Sequence, residues 1–335
     1  MKKIAAFIFV IIISCSKDNP STNPLENSGL AYSLSVSASE GGSVDYDNPN
    51  GGIFFEGEKI NISATAEESH YFMAWSNGSR ENPLQIYIES DTTLTAKFIN
   101  KQSLITRFDE IVIGTGENGP QFTLRWDEMK IFLEGTATEE FNTELLNFID
   151  ELNYILNNDS SFSSTKVDVR SESNVHMFVT EADTYVEAYP RYENNQLENY
   201  LGYASWFSNN NGSIYSGNIF VNSPKMNKTD VIRWTIRHEL GHVLGLKHTE
   251  DTSSIMHQNY IQGSNIVFSD LDHETLRFLH DDRMPVFADS DQSRAILEEI
   301  LGINNNKIAP NKNKPNTSLK RDIIASEVIF VCSKK

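Results

Sequence analysis

The chain is 335 residues long, with 28 Lys+Arg against 46 Asp+Glu and a formal net charge of −18. That length allows two domains of ordinary size, and 39% hydrophobic residues exclude a collagen-like or wholly disordered chain. A charge this negative repels phosphate, which excludes nucleic acid as the main partner. Cys15 and Cys332 are the only cysteines, too few for a disulfide framework or a cysteine-built structural zinc site.

In chain order, Lys2 and Lys3 precede an unbroken apolar run from Ile4 to Ile13. Ten residues fall short of the roughly 20 that span a bilayer as a helix, but they suit the apolar core of a secretory signal. Ile12-Ile13-Ser14-Cys15 follows, and polar residues begin at once. This stretch resembles the lipobox of bacterial lipoproteins, although Ile13 stands where a small residue is usual. The resemblance implies cleavage before Cys15 and lipid on Cys15. An ordinary signal with an incidental cysteine is the plainer alternative. Ser16 after the cysteine suits the outer membrane, on its periplasmic or its outward face. Residues 1–14 are expected to be the signal, and 15–29, with Pro20 and Pro24, a flexible tether.

From Leu30 the apolar period becomes two: Tyr32, Leu34 and Val36 alternate with serines, and Lys59–Thr65, Leu84–Ile88 and Leu94–Phe98 alternate likewise. Gly41-Gly42, Asn77-Gly78 and Asn82-Pro83 punctuate them as turns. Residues 30–99 thus read as a small all-β module. Gly41-Gly42-Ser43-Val44, Phe55-Glu56-Gly57-Glu58, Phe72-Met73-Ala74-Trp75-Ser76 and Thr95-Ala96-Lys97-Phe98 resemble one copy of the divergent InlB B-repeat. The resemblance implies a spacer or adhesive unit without chemistry of its own. Phe72 and Trp75 read as core aromatics rather than a binding face. The module is long enough for its own core, which predicts that it folds without the rest of the chain.

Lys101–Phe108 reads as a short link, and a second domain is expected over 103–290. Lys130–Glu134 reads as a strand. Phe141, Leu145, Phe148, Ile149, Leu152 and Leu156 recur at helical spacing and predict a helix over Glu139–Leu156. Lys166–Arg170 and Val175–Thr180 read as strands, and Leu201–Phe207 and Ser216–Val221 flank the turn at Asn211-Gly212. Thr229 is expected to cap a helix running to about Gly245. Ser269 and Asp272 form a capping box for a helix to His280. Residues 291–335 turn Asn-, Lys- and Pro-rich and are expected to be largely disordered, although Ile323–Cys332 is apolar enough to pack somewhere.

The chemistry lies in His238-Glu239-Leu240-Gly241-His242-Val243-Leu244-Gly245-Leu246-Lys247-His248. His238 and His242, at i and i+4, stand one above the other on a helix face, so two imidazoles can meet one ion. Glu239 projects beside them, within reach of a water on that ion. Gly245 can end the helix in a left-handed conformation, and the returning chain brings His248 as third ligand. Three nitrogens leave a tetrahedral zinc one open position, the mark of a catalytic site. A surface helix that happens to carry three histidines is the bland alternative. Gly241 speaks against it, since glycine inside a helix costs about 1 kcal/mol relative to alanine.

This motif, followed by Ser253-Ser254-Ile255-Met256-His257, resembles the metzincin signature with its methionine turn. The resemblance implies an α+β fold: a matrixin-like domain with a twisted mixed sheet, an active-site helix and a C-terminal helix, preceded by the all-β repeat. It also implies one catalytic Zn²⁺ held by His238, His242 and His248, with Glu239 as general base and Met256 as an apolar floor that does not ligate. By the same resemblance Gly202, Tyr203, Ala204 and Ser205 belong to the edge strand to which a peptide substrate adds. Gln258 stands where some members of the clan place a zinc-binding Tyr, and Tyr260 has the wrong offset. His70 and His176 read as structural; His257, beside the site, could hydrogen-bond substrate, but an unremarkable role is the plainer reading. The acidity would suit Ca²⁺, but no calcium loop matches.

The expected function is a zinc endopeptidase on the bacterial cell envelope, lipid-anchored through Cys15 and acting on protein or peptide substrates. Two other readings remain at this stage. One is a non-enzymatic adhesin with a vestigial zinc domain, against which the intact Glu239 counts. The other is a zinc hydrolase of a non-peptide amide or ester.

Overall fold

The structure is a computed structural model and describes residues 30–47, 51–114, 121–156, 162–192, 197–303 and, as backbone, 327–332. The expected signal, Cys15 and the whole of the tether lie outside the described residues.

Seven strands follow from Leu30: β1 (Ala31–Ala38), β2 (Gly42–Tyr46), β3 (Ile53–Phe55), β4 (Lys59–Ala66), β5 (His70–Trp75), β6 (Leu84–Tyr87) and β7 (Thr92–Asn100). They form a four-stranded sheet, β3-β1-β7-β5, and a three-stranded one, β2-β4-β6. The period-two residues close a core between them: Leu34, Phe54, Ile60, Ile62, Trp75, Leu84, Leu94 and Phe98 are all buried. Trp75 is 1% exposed and Phe72 packs edge-on against it, so both serve the core. His70 shares a hydrogen bond with Ser69 Oγ, a structural role.

The expected link is instead a helix, α1 (Lys101–Phe108). The Asn100 side chain accepts from Ser103 N at 3.0 Å and caps it, and Leu104, Ile105 and Phe108 drive it into the core. A turn of π-helix, Asp109–Ile113, follows and ends at Gly114.

Next come β8 (Glu128–Gly135), α2 (Glu139–Leu156), β9 (Ser163–Val167), β10 (Val175–Thr180), α3 (Ala182–Ala188), β11 (Gly202–Ser208) and β12 (Ile214–Asn222). The strand read at Lys166–Arg170 begins three residues earlier, and Arg170–Glu172 is a 3₁₀ turn. Strands β9, β8, β10 and β12 run parallel, and β11 pairs antiparallel with β12. His176 on β10 packs edge-on against Phe132. Burial pushes its pKa below the ordinary value, as suits a structural histidine.

Three helices complete the second part: α4 (Thr229–Val243), α5 (Asp270–His280) and α6 (Ser290–Ile300). Lys228, not Thr229, is the N-cap of α4, and it makes no side-chain cap bond. The Ser269/Asp272 capping box of α5 forms as expected. Helix α6 corrects the expectation of disorder from residue 291. Asp289 and Gln292 make a second capping box, and Leu297 and Leu301 reach the core. The apolar stretch expected to pack somewhere supplies β13 (Glu327–Cys332), which pairs antiparallel with β11 and gives the sheet order β13-β11-β12-β10-β8-β9. The stretch expected at the sheet's edge is therefore its second strand. The sequence of β13, Val-Ile-Phe-Val between Glu327 and Cys332, is of the kind that favours strand pairing.

The main core lies between this sheet and α2, α4 and α5, and it does not stop at the domain line. Met73, Ala74 and Ile99 of the repeat module are buried in the same cluster as Leu104, Phe278 and Leu279. Polar contacts reinforce the junction. Tyr71 Oη donates to Glu274 Oε2 at 2.5 Å and Arg80 Nη2 donates to Glu274 Oε1 at 2.6 Å. Lys97 pairs with Asp270, and Tyr154 donates to the Gly78 carbonyl. The module has its own core but lends residues to the other, contrary to the independence expected from its length.

Candidate metal centre

Helix α4 presents the site because its two faces have different partners. On the back, Arg233 donates twice to Glu144 of α2, at 3.0 and 2.8 Å. Arg237 donates to Glu151 at 3.0 and 2.8 Å and lies over the Phe148 ring. Four residues apart on α4 and seven apart on α2, these pairs fix the rotation of α4 about its axis. At its end Trp126 Nε1 donates to the Val243 carbonyl at 2.6 Å.

On the other face stand His238 and His242, both fully buried. Gly245 has φ +97°, a left-handed conformation that turns the chain out of the helix. Lys247 anchors the returning loop: its N–H donates to the Ile111 carbonyl at 2.6 Å and its ammonium to the Ile113 carbonyl at 2.5 Å. The loop delivers His248. The Nε2 atoms of His238 and His248 each lie 3.1 Å from His242 Nε2. Among the described residues these three are the cluster able to hold a metal ion.

The donor set fits zinc. His238 Nδ1 donates to the Ile255 carbonyl at 2.7 Å and His242 Nδ1 donates to the Leu246 carbonyl at 2.8 Å. A carbonyl only accepts, so both protons sit on Nδ1 and both Nε2 lone pairs face inward. Burial first, and then the neighbouring His248, push both pKa values well below the ordinary value, so both rings are neutral. Ligands of a tetrahedral zinc at its usual distance stand roughly 3.3 Å apart, close to the spacing seen.

Met256 is fully buried beneath α4. A Cβ on Gly241 would lie 2.5 Å from Met256 Sδ, so this helical glycine makes room for the methionine turn. The turn is held by Asp272 of α5. Its carboxylate accepts from Ser254 Oγ at 2.9 Å, Ile255 N at 3.3 Å and Ser269 N at 3.2 Å. Arg107 Nη1 of α1 donates to it at 2.5 Å, and Arg107 also pairs with Asp251. Since the Ile255 carbonyl orients His238, Arg107 and Asp272 reach a metal ligand through the backbone. Trp234 stacks on His238, with ring centroids 4.2 Å apart and planes at 20°. Tyr260 meets the same tryptophan edge-on, with ring centroids 6.1 Å apart. His257 is bonded within its own loop, to Asn259.

Glu239 is fully buried, and a Cβ on Gly202 would lie 2.3 Å from its Oε1. The first residue of β11 therefore passes directly against the carboxylate. Tyr203 faces an aromatic cluster with Tyr185, Tyr192 and Phe220 on the far side of the sheet, whereas Ala204 faces the main core and Ser205 is fully buried. Of the expected residues Gly202–Ser205, Gly202 adjoins the site, and the stretch lies on an inner strand. Arg107, Asp272 and Trp234 were not legible as site residues, and only the Ser269/Asp272 capping box gave a local signal.

Residues 151–281 match the family model described as Matrixin, and residues 32–102 match that of the divergent InlB B-repeat domain. The chain thus joins a matrixin-like stretch to one similar to that repeat, and with the three-histidine group this supports a metalloprotease. Two solved structures of myroilysin are similar to it, at 14% and 13% identity. They cover 48% and 54% of this chain and 83% and 96% of theirs, each with a TM-score of 0.31. No curated protein matches the chain.

Proposed function

We propose that this protein is a zinc-dependent endopeptidase of the bacterial cell envelope. The observation that carries the reading is the convergence of two buried neutral imidazoles and His248 at one point, with the Glu239 carboxylate on the same helix. Zinc held by His238, His242 and His248 supplies Lewis-acid polarisation of a scissile carbonyl. Glu239 takes a proton from the attacking water and passes it to the leaving amine nitrogen. Gly202 leaves that carboxylate room, and Met256 underlies the ligands without binding. A binding-only domain has no use for a buried carboxylate on the helix that carries two of three converging imidazoles, which disfavours the adhesin reading.

The envelope part of the proposal rests on the sequence of residues 1–15. A Cys15→Ser change should move the protein from the membrane to the soluble fraction, and unchanged detergent partitioning would refute the anchor. The peptidase part is tested by elemental analysis of the full chain and by cleavage of denatured casein with and without chelator. One zinc per chain and chelator-sensitive cleavage are expected. Absence of metal after zinc loading would overturn the reading.

A further inference from the structure

The edge to which a peptide substrate would add is already paired. All six residues from Gly202 to Phe207 have antiparallel partners on β13, from Gly202↔Cys332 to Phe207↔Glu327. The other side of β11 is taken by β12. A strand has two edges, and each backbone N–H and C=O on an edge serves one neighbouring strand. At Gly202 the backbone lies against Glu239. The position paired with it, Cys332, therefore lies level with the reactive centre, and β13 runs outward from there along the cleft strand.

We infer that Glu327–Cys332 is a built-in occupant of the peptide-binding edge and competes with substrate for β11, so that the enzyme is held closed by its own chain. The inference rests on the peptidase reading for its consequence, but the docking itself does not need catalysis. Its apolar, β-branched run suits a strand added by main-chain bonds. Because the strand is tethered, its effective concentration at β11 is of the order of millimolar. A free peptide at micromolar concentration meets the edge only after β13 has left.

The test uses the full chain and the double variant Ile329→Pro/Phe330→Pro. Bonds to one neighbour alternate along an antiparallel strand, so two adjacent prolines remove a ladder N–H in either phase. In the first arm a fluorescent synthetic peptide of residues 325–334 is titrated against wild type and variant, each also carrying Glu239→Ala to prevent turnover. Binding to the proline variant and not to the parent is expected. In the second arm kcat/KM on denatured casein should rise about tenfold or more, the factor by which a docked state populated above roughly 90% lowers the competent fraction. Equal binding of the peptide to both proteins, or binding to neither, would overturn the inference. So would an unchanged kcat/KM in a variant in which those β11 amides that donate to β13 have lost hydrogen-exchange protection. If neither protein cleaves casein, the peptidase reading falls, and the binding arm alone decides whether β13 occupies the edge.

Discussion

Glu239 projects from its helix against the first residue of β11. Glu239→Ala removes the proton carrier and leaves all three imidazoles. Zinc content should stay at one per chain while kcat drops by about 10²–10⁴; kcat near that of wild type would rule out the proposed role. Gly202→Ala tests the same carboxylate from the other side. The added methyl needs the space of Oε1, 2.3 Å away, so the carboxylate must swing aside. Displacement on that scale should cost about 10²-fold in kcat with metal retained, as steady-state kinetics and elemental analysis would read. His280 gives a pH signature away from the metal. It is fully buried beside Phe162, and its Nε2 finds no partner among the described residues. Burial lowers its pKa from the ordinary 6.5 to about 4. Above pH 6.5 it is neutral whether folded or unfolded. Between 6.5 and 4 the unfolded chain alone takes the proton, so stability drains as pH falls, by about 1.4 kcal/mol per unit from this group. Thermal melts of the metal-free protein should carry this slope in addition to that of the other buried histidines, His238 and His242, and His280→Gln should reduce the total by that amount.

Among the elements, α5 combines a capping box, a clamp on the methionine turn and the junction with the repeat module. Asp272→Ala removes the acceptor shared by Ser254, Ile255 and Ser269 and leaves Arg107, 4% exposed, without its closest buried carboxylate. Removing one partner of such a buried pair costs about 3–5 kcal/mol, which denaturant titration should show. Local pattern made some elements legible. Glu139–Leu156 and Val175–Thr180 form over the residues that periodicity marks, because each buries one regular face. The three clustered histidines were legible because all of them lie within eleven residues of one helix and its return loop. Arg107 was not, since its partner Asp272 is 165 positions away and neither residue has a local pattern that announces the other. Nor could β13 be placed, because an apolar run does not name the edge it joins.

At the scale of the whole molecule, Glu274 is the pin between the two parts. Burial alone would raise its pKa, but the charges of Arg277 and Arg80 outweigh that and hold it below the ordinary carboxylate value. It also takes the Tyr71 hydroxyl. With Met73, Ala74 and Ile99 in the second core, the two parts should melt together. Calorimetry should give one transition, and Glu274→Ala should lower its midpoint by several degrees or split it. A chain beginning at Lys101 would uncover those contacts and should be clearly less stable than the full protein; equal stability would show the junction to be idle.

The same junction sets an order of events during synthesis. Tyr71 meets Glu274 across 203 positions of sequence, so the repeat module emerges first and waits for almost the whole second domain before its last partner arrives. Until α5 forms, the side chains of Met73 and Ile99 face water, and the sheet that carries them has an open, sticky flank. Contacts of such long sequence separation form late, after the loop-closure entropy of everything between them has been overcome. The newborn chain therefore passes through a period in which its leading module is folded at its own centre and unfinished at its rim, a state exposed to aggregation and to holding chaperones alike.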